Sequence, residues 1–280
     1  MQFPLSTGVV SQLAHWLSED VGRGDRTTEA LVPHDLKGRA RIEARSEMVV
    51  AGLEVARACF WELDPALQWT AEAADGDSVT PMTVIARVSG PLAPIFTAER
   101  TALNVLGRLS GIATAARAYA AAVEGTRARV ADTRKTTPGL RSLEKYAVSL
   151  GGGVNHRFGL DDGILIKDNH LAVVGGVSEA VSRARANAPH PLKVEVEVQD
   201  IPGLKEALEA GADAVLLDNM PVEEVSDAVA LAGGRALLEV SGGVTLENIR
   251  EYAETGVDLI SVGAITHSAP CADVSLEVEA

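Results

Sequence analysis

From Lys193 the chain repeats itself. The runs "KVEVEV", "AVLLDN", "ALLEVSGG" and "DLISVGA" begin at 193, 214, 236 and 258, a spacing of 21, 22 and 22 residues. Between them lie "IPGLKEALEAGAD", "MPVEEVSDAVALAGG" and "TLENIREYAETGV", which read as helices. Strands alternating with helices at this pitch assemble as βα units around a parallel sheet. Gly211, Gly234 and Gly256 sit at the expected helix ends, and Pro202 and Pro221 near helix starts. Upstream, "RVADTRK" and "GILIKDNH" extend the series backwards, and "LAVVGGVSEAVSRARANA" supplies a helix before Lys193. Six units point to an α/β barrel that stops short of eight, because eight do not fit comfortably between Arg127 and Ser268. An open doubly wound sheet is the alternative.

The first hundred residues have another rhythm. An amphipathic helix carrying Val9, Leu13, Trp16 and Leu17 leads into the strand-like "GRARIEARSEMVVAG". The helix "LEVARACFWEL" follows, then strands "LQWTAEA" and "TVIARVSG" joined across "ADGDS". This is a separate α+β unit. The long segment "TAERTALNVLGRLSGIATAARAYAAAVEG" reads as helix broken near Gly111, with Leu103, Leu106, Leu109 and Ile112 on a buried stripe. The chain then divides into residues 1–105, joined by the C-terminal segment 268–280, and a barrel domain of residues 106–267.

Composition excludes several classes of function. With 280 residues the chain can bury a sizeable core, and its formal net charge of −14 disfavours nucleic acid or an anionic membrane as main partner. No apolar run is long enough to span a bilayer, and the N-terminus lacks the pattern of a secretory leader. The two cysteines, Cys59 and Cys271, have no metal-type spacing, so a reducing cytoplasm is the simplest setting.

Active sites of α/β barrels lie at the C-terminal ends of the strands. Here those ends carry Thr133-Arg134-Lys135, Lys167-Asp168, Glu197, Asp218-Asn219, Ser241-Gly242-Gly243 and Ser261-Val262-Gly263. Cations come first, carboxylates next and glycine-rich loops last. Loops after the last two strands often hold a phosphate on backbone N–H groups, which suits "SGG" and "SVG". Glu195 and Glu197 share one side of their strand, where charge is costly unless paired or functional. Glu197 and Asp218 could share a Mg²⁺, directly or through water; an ion-pair network with Lys193 and the other lysines is the alternative. "DTRKTTPGLR" gathers Arg134, Lys135 and Arg141, and the following "GGGVNHRFGLDDGILIKDNH" adds His156, Arg157 and Lys167. So many cations in an acidic chain suggest a small substrate with several negative charges.

The segment "ADTRKTTPGLRSLEKYAVSLGGGVNHRFGLDDGILIKDNH", with "FTAERTALNVLGRLSGIAT", "VEVEV", "LLDNM", "LEVSGGVTLENI" and "GVDLISVGAITHSAP", resembles the quinolinate phosphoribosyltransferase family (nicotinate-nucleotide pyrophosphorylase, carboxylating; type II phosphoribosyltransferases). The resemblance implies an N-terminal open-faced α/β sandwich and an incomplete barrel of six or seven parallel strands, assembled as a dimer whose sites are completed by the neighbouring subunit. It implies that Arg100 is offered across the interface to quinolinate, and that Arg134, His156 and Arg157 bind the pyridine dicarboxylate. Lys135 and Lys167 would face quinolinate and the pyrophosphate-bearing substrate, with Thr133 beside them. Glu197 and Asp218 match carboxylates near ribose and Mg²⁺, and Ser241, Gly242, Gly243, Ser261, Val262 and Gly263 the loops for the 5′-phosphate.

The implied reaction joins quinolinate to phosphoribosyl pyrophosphate, giving nicotinate mononucleotide, pyrophosphate and CO₂. Lys135, Lys167, Glu197 and Asp218 would act on the reacting groups. Three other readings remain at this level: a Schiff-base barrel lyase using Lys135 or Lys167, a non-catalytic phosphate-ligand sensor, and a molybdenum-associated protein of the same fold. Replacing Arg134 with Ala is expected to weaken quinolinate binding or turnover strongly while leaving the fold intact. Wild-type kinetics in that variant would remove Arg134 from the site.

Overall fold

The structure, a computed structural model, describes residues 7–279. The ends of the N-terminal domain expectation, residues 1–6 and 280, lie outside the described residues. The chain forms two compact units. One comprises the described part of Met1–Ala115, together with Ser142–Gly151 and the described part of Ala269–Ala280; the other comprises Ala116–Arg141 and Gly152–Ser268. The division therefore falls later than residue 105, and ten residues from the middle of the chain belong with the first unit.

In the first unit, α1 (Thr7–Val21) buries Val9, Leu13 and Leu17, one turn apart along a single face. The short α2 (Arg26–Leu31) starts on Asp25, whose carboxylate accepts the Thr28 N–H at 3.0 Å and the Thr28 hydroxyl at 2.6 Å. Those two bonds hold the Asp25 carboxyl below its ordinary pKa. Strand β1 (Lys37–Ala44) precedes β2 (Met48–Val49), α3 (Leu53–Leu63), β3 (Gln68–Ala71), β4 (Ser78–Val79), β5 (Val84–Pro91) and the long α4 (Leu92–Ala122).

The last strand of the chain, Val274–Glu279, joins β1, β5 and β3 in an antiparallel sheet, lying at its edge beside β1. Register sorts its faces. Ala40 opposite Val88 and Ile42 opposite Ala86 are buried, whereas Arg41 stands opposite Arg87 on the other face. Like charges placed so would repel; Glu43 on Arg41, and Glu72 and Glu279 on Arg87, neutralise them. The sheet thus keeps one apolar face and one ion-paired face, as in an open-faced sandwich.

Helix α4 runs unbroken through Gly111, contrary to the expected break. The glycines serve a close approach instead. The Ala272 N–H bonds the Gly107 carbonyl at 2.8 Å, and a Cβ on Gly111 would run into the Pro270 carbonyl oxygen. Leu103, Leu106, Leu109 and Ile112 are all buried, as their spacing predicts. Helix α5 (Arg141–Leu150) belongs to this unit from Ser142 onward; its fully buried Glu144 accepts from Arg108 Nη2 at 2.8 Å and Nε at 3.2 Å.

The second unit holds six parallel strands: β6 (Arg129–Ala131), β7 (Ile164–Ile166), β8 (Val194–Val198), β9 (Ala214–Asp218), β10 (Leu237–Ser241) and β11 (Leu259–Ser261). Their order is β6-β11-β10-β9-β8-β7, so chain neighbours pair in turn and β6 adds itself beside β11. No ladder joins β6 to β7 among the described residues; a single parallel bridge, Ala131 with Val154, extends from β6 towards the gap. This is the incomplete barrel. The connecting helices are α6 (Asp168–Val174), α7 (Val177–Asn187), α8 (Ile201–Glu209), α9 (Val222–Ala232), α10 (Ile249–Glu254) and α11 (Ala264–His267), and the chain ends in β12, the edge strand Val274–Glu279. The single helix expected before Lys193 is two, because Gly175 and Gly176 adopt φ of 102° and 135° and end α6.

In a free helix Gly111→Ala would add about 0.5–1 kcal/mol of stability. Here the contact with Pro270 should reverse the sign, with a loss of about 1–3 kcal/mol. Urea unfolding measures it; an unchanged or raised midpoint would show that Pro270 does not press on α4.

Candidate active site

Alternate residues of a strand face opposite sides, so every second residue of β7 to β11 points into the barrel. At the C-terminal ends these are Lys167, Glu197, Asp218, Ser241 and Ser261. All five line one cavity of about 590 Å³, together with Thr133, Arg134, Lys135, His156, Arg157, Gly242 and Gly243. Leu165 and Leu216 add apolar floor. Residues from seven separate chain segments thus meet in one place.

The cationic side is built by the loop after β6. Thr133 Oγ1 accepts the Lys135 N–H at 3.0 Å, and Thr266 Oγ1 donates to the Lys135 carbonyl at 2.8 Å, which fixes the turn carrying both cations. Arg141 is a brace: its Nε bonds Thr136 Oγ1 at 3.0 Å and its Nη1 the Phe158 carbonyl at 3.2 Å. Arg157 donates from Nη1 to the Gly163 carbonyl at 2.8 Å. Burial, and then the neighbouring charge of Arg134, push the Arg157 pKa below its ordinary value. The buried Nε of Arg134 has no acceptor. Two adjacent guanidiniums, one with an unanswered donor, mark a place that an anion would stabilise.

Asp132 aims the next group. It is fully buried at the end of β6, where it accepts the His156 N–H at 2.9 Å and Asn155 Nδ2 at 2.7 Å. His156 Nε2 then lies 3.2 Å from Glu195 Oε2 and 3.3 Å from Glu239 Oε2. Its Nδ1 accepts the Arg157 N–H at 2.7 Å. Contacts with Glu195 and Glu239 raise the proton affinity of this trio at His156, and burial raises the pKa of Glu195. Glu197 pairs with Lys167, at 2.5 Å, rather than with Lys193.

The phosphate-type loop has a steric logic. Gly242 and Gly243 have φ of 91° and 63°, and a Cβ on Gly242 would collide with the Asn219 side-chain oxygen. Asn219 is itself left-handed, φ 55°, and its N–H bonds the Ser241 carbonyl at 2.9 Å. The ends of β9 and β10 therefore interlock. Asn248 closes the turn by accepting the Thr245 N–H at 2.8 Å and donating to the Gly243 carbonyl at 3.0 Å.

The "SVG" loop is divided in function. Ser261 lines the cavity, but Val262 is buried and its N–H bonds the Ala131 carbonyl at 2.9 Å, extending the β11–β6 pairing. That N–H is therefore committed to the sheet. Gly263 leaves room for Lys135, whose Cδ would stand 3.0 Å from an added Cβ. Asp168 faces a smaller cavity with Asp200 and Gln199. Arg100 lies on α4 in the first unit with a largely exposed side chain, 3.9 Å from the Glu99 carboxylate.

Sequence reading passed over Asp132 and Glu239, and placed Asn219 at a strand end without giving it a role. A Glu flanked by apolar residues in "LLEVS", two before a site serine, was the available signal for Glu239. Asp132 was legible only as the first letter of a cationic loop.

Two family models match: "Quinolinate phosphoribosyl transferase, N-terminal domain" over residues 25–110 and the C-terminal domain of the same enzyme over residues 112–277. The chain is 44% identical over 270 residues to the "Probable nicotinate-nucleotide pyrophosphorylase [carboxylating]" of Synechocystis, covering 95% of this chain and 91% of that one. It is 44% identical to the Mycobacterium leprae "Nicotinate-nucleotide pyrophosphorylase [carboxylating]", covering 94% of each. The solved nicotinate-nucleotide pyrophosphorylase of Francisella tularensis superposes with a TM-score of 0.95 at 39% identity, over 99% of this chain and 98% of that one. The chain belongs to the quinolinate phosphoribosyl transferase family.

Proposed function

We propose that the chain transfers phosphoribosyl from phosphoribosyl pyrophosphate to quinolinate and decarboxylates the product, giving nicotinate mononucleotide, pyrophosphate and CO₂. One observation carries the reading: Arg134, Lys135, Arg157 and Lys167 share a cavity with Glu197, Asp218 and the Ser241–Gly243 turn. A dianionic ring needs the first group, a ribose and its leaving polyphosphate the second, and a 5′-phosphate the third. The relatives' names support this over the molybdenum-associated reading. The ion pair of Lys167 with Glu197 weighs against a Schiff base there, since that chemistry needs a neutral amine.

Binding starts with charge. Arg134 and Arg157 grip carboxylates of the ring, whose apolar face rests on Leu165 and Leu216. Held so, the pyridine nitrogen is oriented towards the anomeric carbon, and orientation supplies much of the rate. As the bond to pyrophosphate breaks, negative charge grows on the leaving group and Lys135 and Lys167 stabilise it more than they stabilise the ground state. Backbone N–H groups of the Ser241–Gly243 turn receive the 5′-phosphate.

The carboxylates of Glu197 and Asp218 are hard oxygen donors on the same wall of the cavity, a set that fits Mg²⁺. Bound there, the ion would supply electrostatic stabilisation of the departing pyrophosphate. Arg100, exposed on its own unit, is the arginine offered to a second copy of the chain in a homodimer, and the cytoplasm is the setting that fits these substrates.

Purified protein with Mg²⁺, phosphoribosyl pyrophosphate and carboxyl-labelled quinolinate should release labelled CO₂ and form nicotinate mononucleotide in equal amounts. Absence of both products sinks the reading. Mixing Arg100→Ala with Arg134→Ala protein should restore about a quarter of wild-type activity, because half the dimers are mixed and one of their two sites is intact. No recovery would place Arg100 outside the site.

A further inference from the structure

Lys167 stands beside the gap in the barrel. Strand β7 is the last in the sheet order and pairs on one side only, with β8. That ladder ends at Ile166 opposite Val196, so Lys167 lies one residue past it. On the other side no ladder reaches β7 among the described residues. In a closed barrel both neighbouring strands would hold the backbone at such a position. Lys167, whose side chain lines the cavity, has to be held another way.

His170 supplies the missing partner. Its ring Nδ1 accepts the Lys167 N–H at 2.9 Å, and its own N–H donates to the Lys167 carbonyl at 2.8 Å. The Leu171 N–H reaches the same carbonyl at 3.0 Å. Both backbone groups of Lys167 therefore end on the first turn of α6, with the Lys167 backbone extended at φ −120° and ψ 169°. Lys167 is the N-cap of that helix, a place where serine, threonine or aspartate ordinarily accepts from the helix N–H groups. A charged lysine has no lone pair to offer there, so its ammonium is left to the cavity, where Glu197 meets it at 2.5 Å. The closing bond runs the other way, from the cap N–H to the third helical residue. That is the half of a capping box which glutamate or glutamine usually provides.

We propose that His170 is a positioning residue for phosphoribosyl transfer: by clamping the Lys167 backbone at the open edge of the barrel, it fixes where the Lys167 ammonium stands as pyrophosphate departs. The inference rests on the reading of Lys167 as a stabiliser of the leaving group. His170 touches no substrate in this role. An ammonium displaced by about 1 Å gives up much of its preference for the transition state, at a cost on the order of 10- to 100-fold in rate. Arg134 and Arg157 are carried by other loops, so the grip on quinolinate does not depend on the clamp. What the clamp requires of position 170 is an acceptor within reach of the cap N–H, which a glutamine side chain also presents.

The test compares wild type, His170→Ala and His170→Gln with Mg²⁺, phosphoribosyl pyrophosphate and quinolinate. His170→Ala is expected to lower kcat about 10- to 100-fold while the KM for quinolinate stays within about twofold. His170→Gln, which restores the acceptor, is expected to recover kcat to within about threefold of wild type. Wild-type kinetics in His170→Ala overturn the proposal. So does a glutamine variant no better than alanine, or a KM for quinolinate that rises as much as kcat falls, which would mark a residue serving the fold at large. Hydrogen exchange reads the clamp without turnover: the Lys167 amide should exchange at least about tenfold faster in His170→Ala than in wild type, with glutamine protecting it again. Should the alanine variant not fold, wild type still decides, because a Lys167 amide exchanging like an unprotected one overturns the clamp. A wild type that releases no pyrophosphate although this amide is protected takes down the parent reading and the role of Lys167 with it. A working wild type beside a normal alanine variant removes this proposal alone.

Discussion

The interior of a parallel barrel admits only every second residue of each strand, and this two-residue pitch organises the whole site. It sets Lys167, Glu197, Asp218 and Ser241 on one level and Glu195 and Glu239 on the level beneath. The valines between the glutamates of β8 turn outward, where Val194, Val196 and Val198 are buried. A run such as "VEVEV" therefore does two jobs at once, packing on one side and presenting charge on the other. Charge placed inside must be answered, and the answers visible here are Lys167 for Glu197 and His156 for Glu195.

Asp132 shows how a buried carboxylate can serve geometry. Its contacts run to the backbone of His156 and the side chain of Asn155, so the chain arriving after α5 is held against the end of β6. From that anchor the Arg157 guanidinium reaches the Gly163 carbonyl and the His156 ring reaches Glu195 and Glu239. The lock between Asn219 and Gly242 works in the same manner on the opposite wall. These are polar and steric couplings between consecutive strand ends, and they make the cavity rigid without filling it.

Much of the architecture was legible from pattern. The 21- and 22-residue spacing predicts four strands and the upstream runs two more, and all six form; the stripe of Leu103, Leu106, Leu109 and Ile112 predicts a buried helix face, and it is buried. Local rules misread three features. Gly111 looks like a helix break, yet no backbone hydrogen bond is lost at a helical glycine, and the chain near Pro270 needs the space. Gly175 and Gly176 look tolerable within one helix, yet their positive φ values end it. Val262 fell in a plausible phosphate loop, but its N–H was already claimed by Ala131. The readings of Gly111 and Val262 turned on partners remote in sequence, whereas Gly175 and Gly176 act through their own backbone.

Strand ends, cations, carboxylates and glycine turns were fixed by local composition and periodicity, because hydrophobic alternation acts over a few residues and depends little on the rest of the chain. Their meeting in one cavity was also implied by the βα repeat, since that repeat brings all C-terminal strand ends together. Only the tertiary structure decided which side chain answers which. Lys193 was the nearer partner of Glu197 in sequence, but Lys167 took that place from the adjoining strand. The grouping of His156 with Glu195 and Glu239 likewise joins residues up to 83 apart in the chain, and no sequence period encodes a contact across the middle of a barrel. Such pairings depend on strand stagger and barrel radius, which are properties of the closed sheet as a whole.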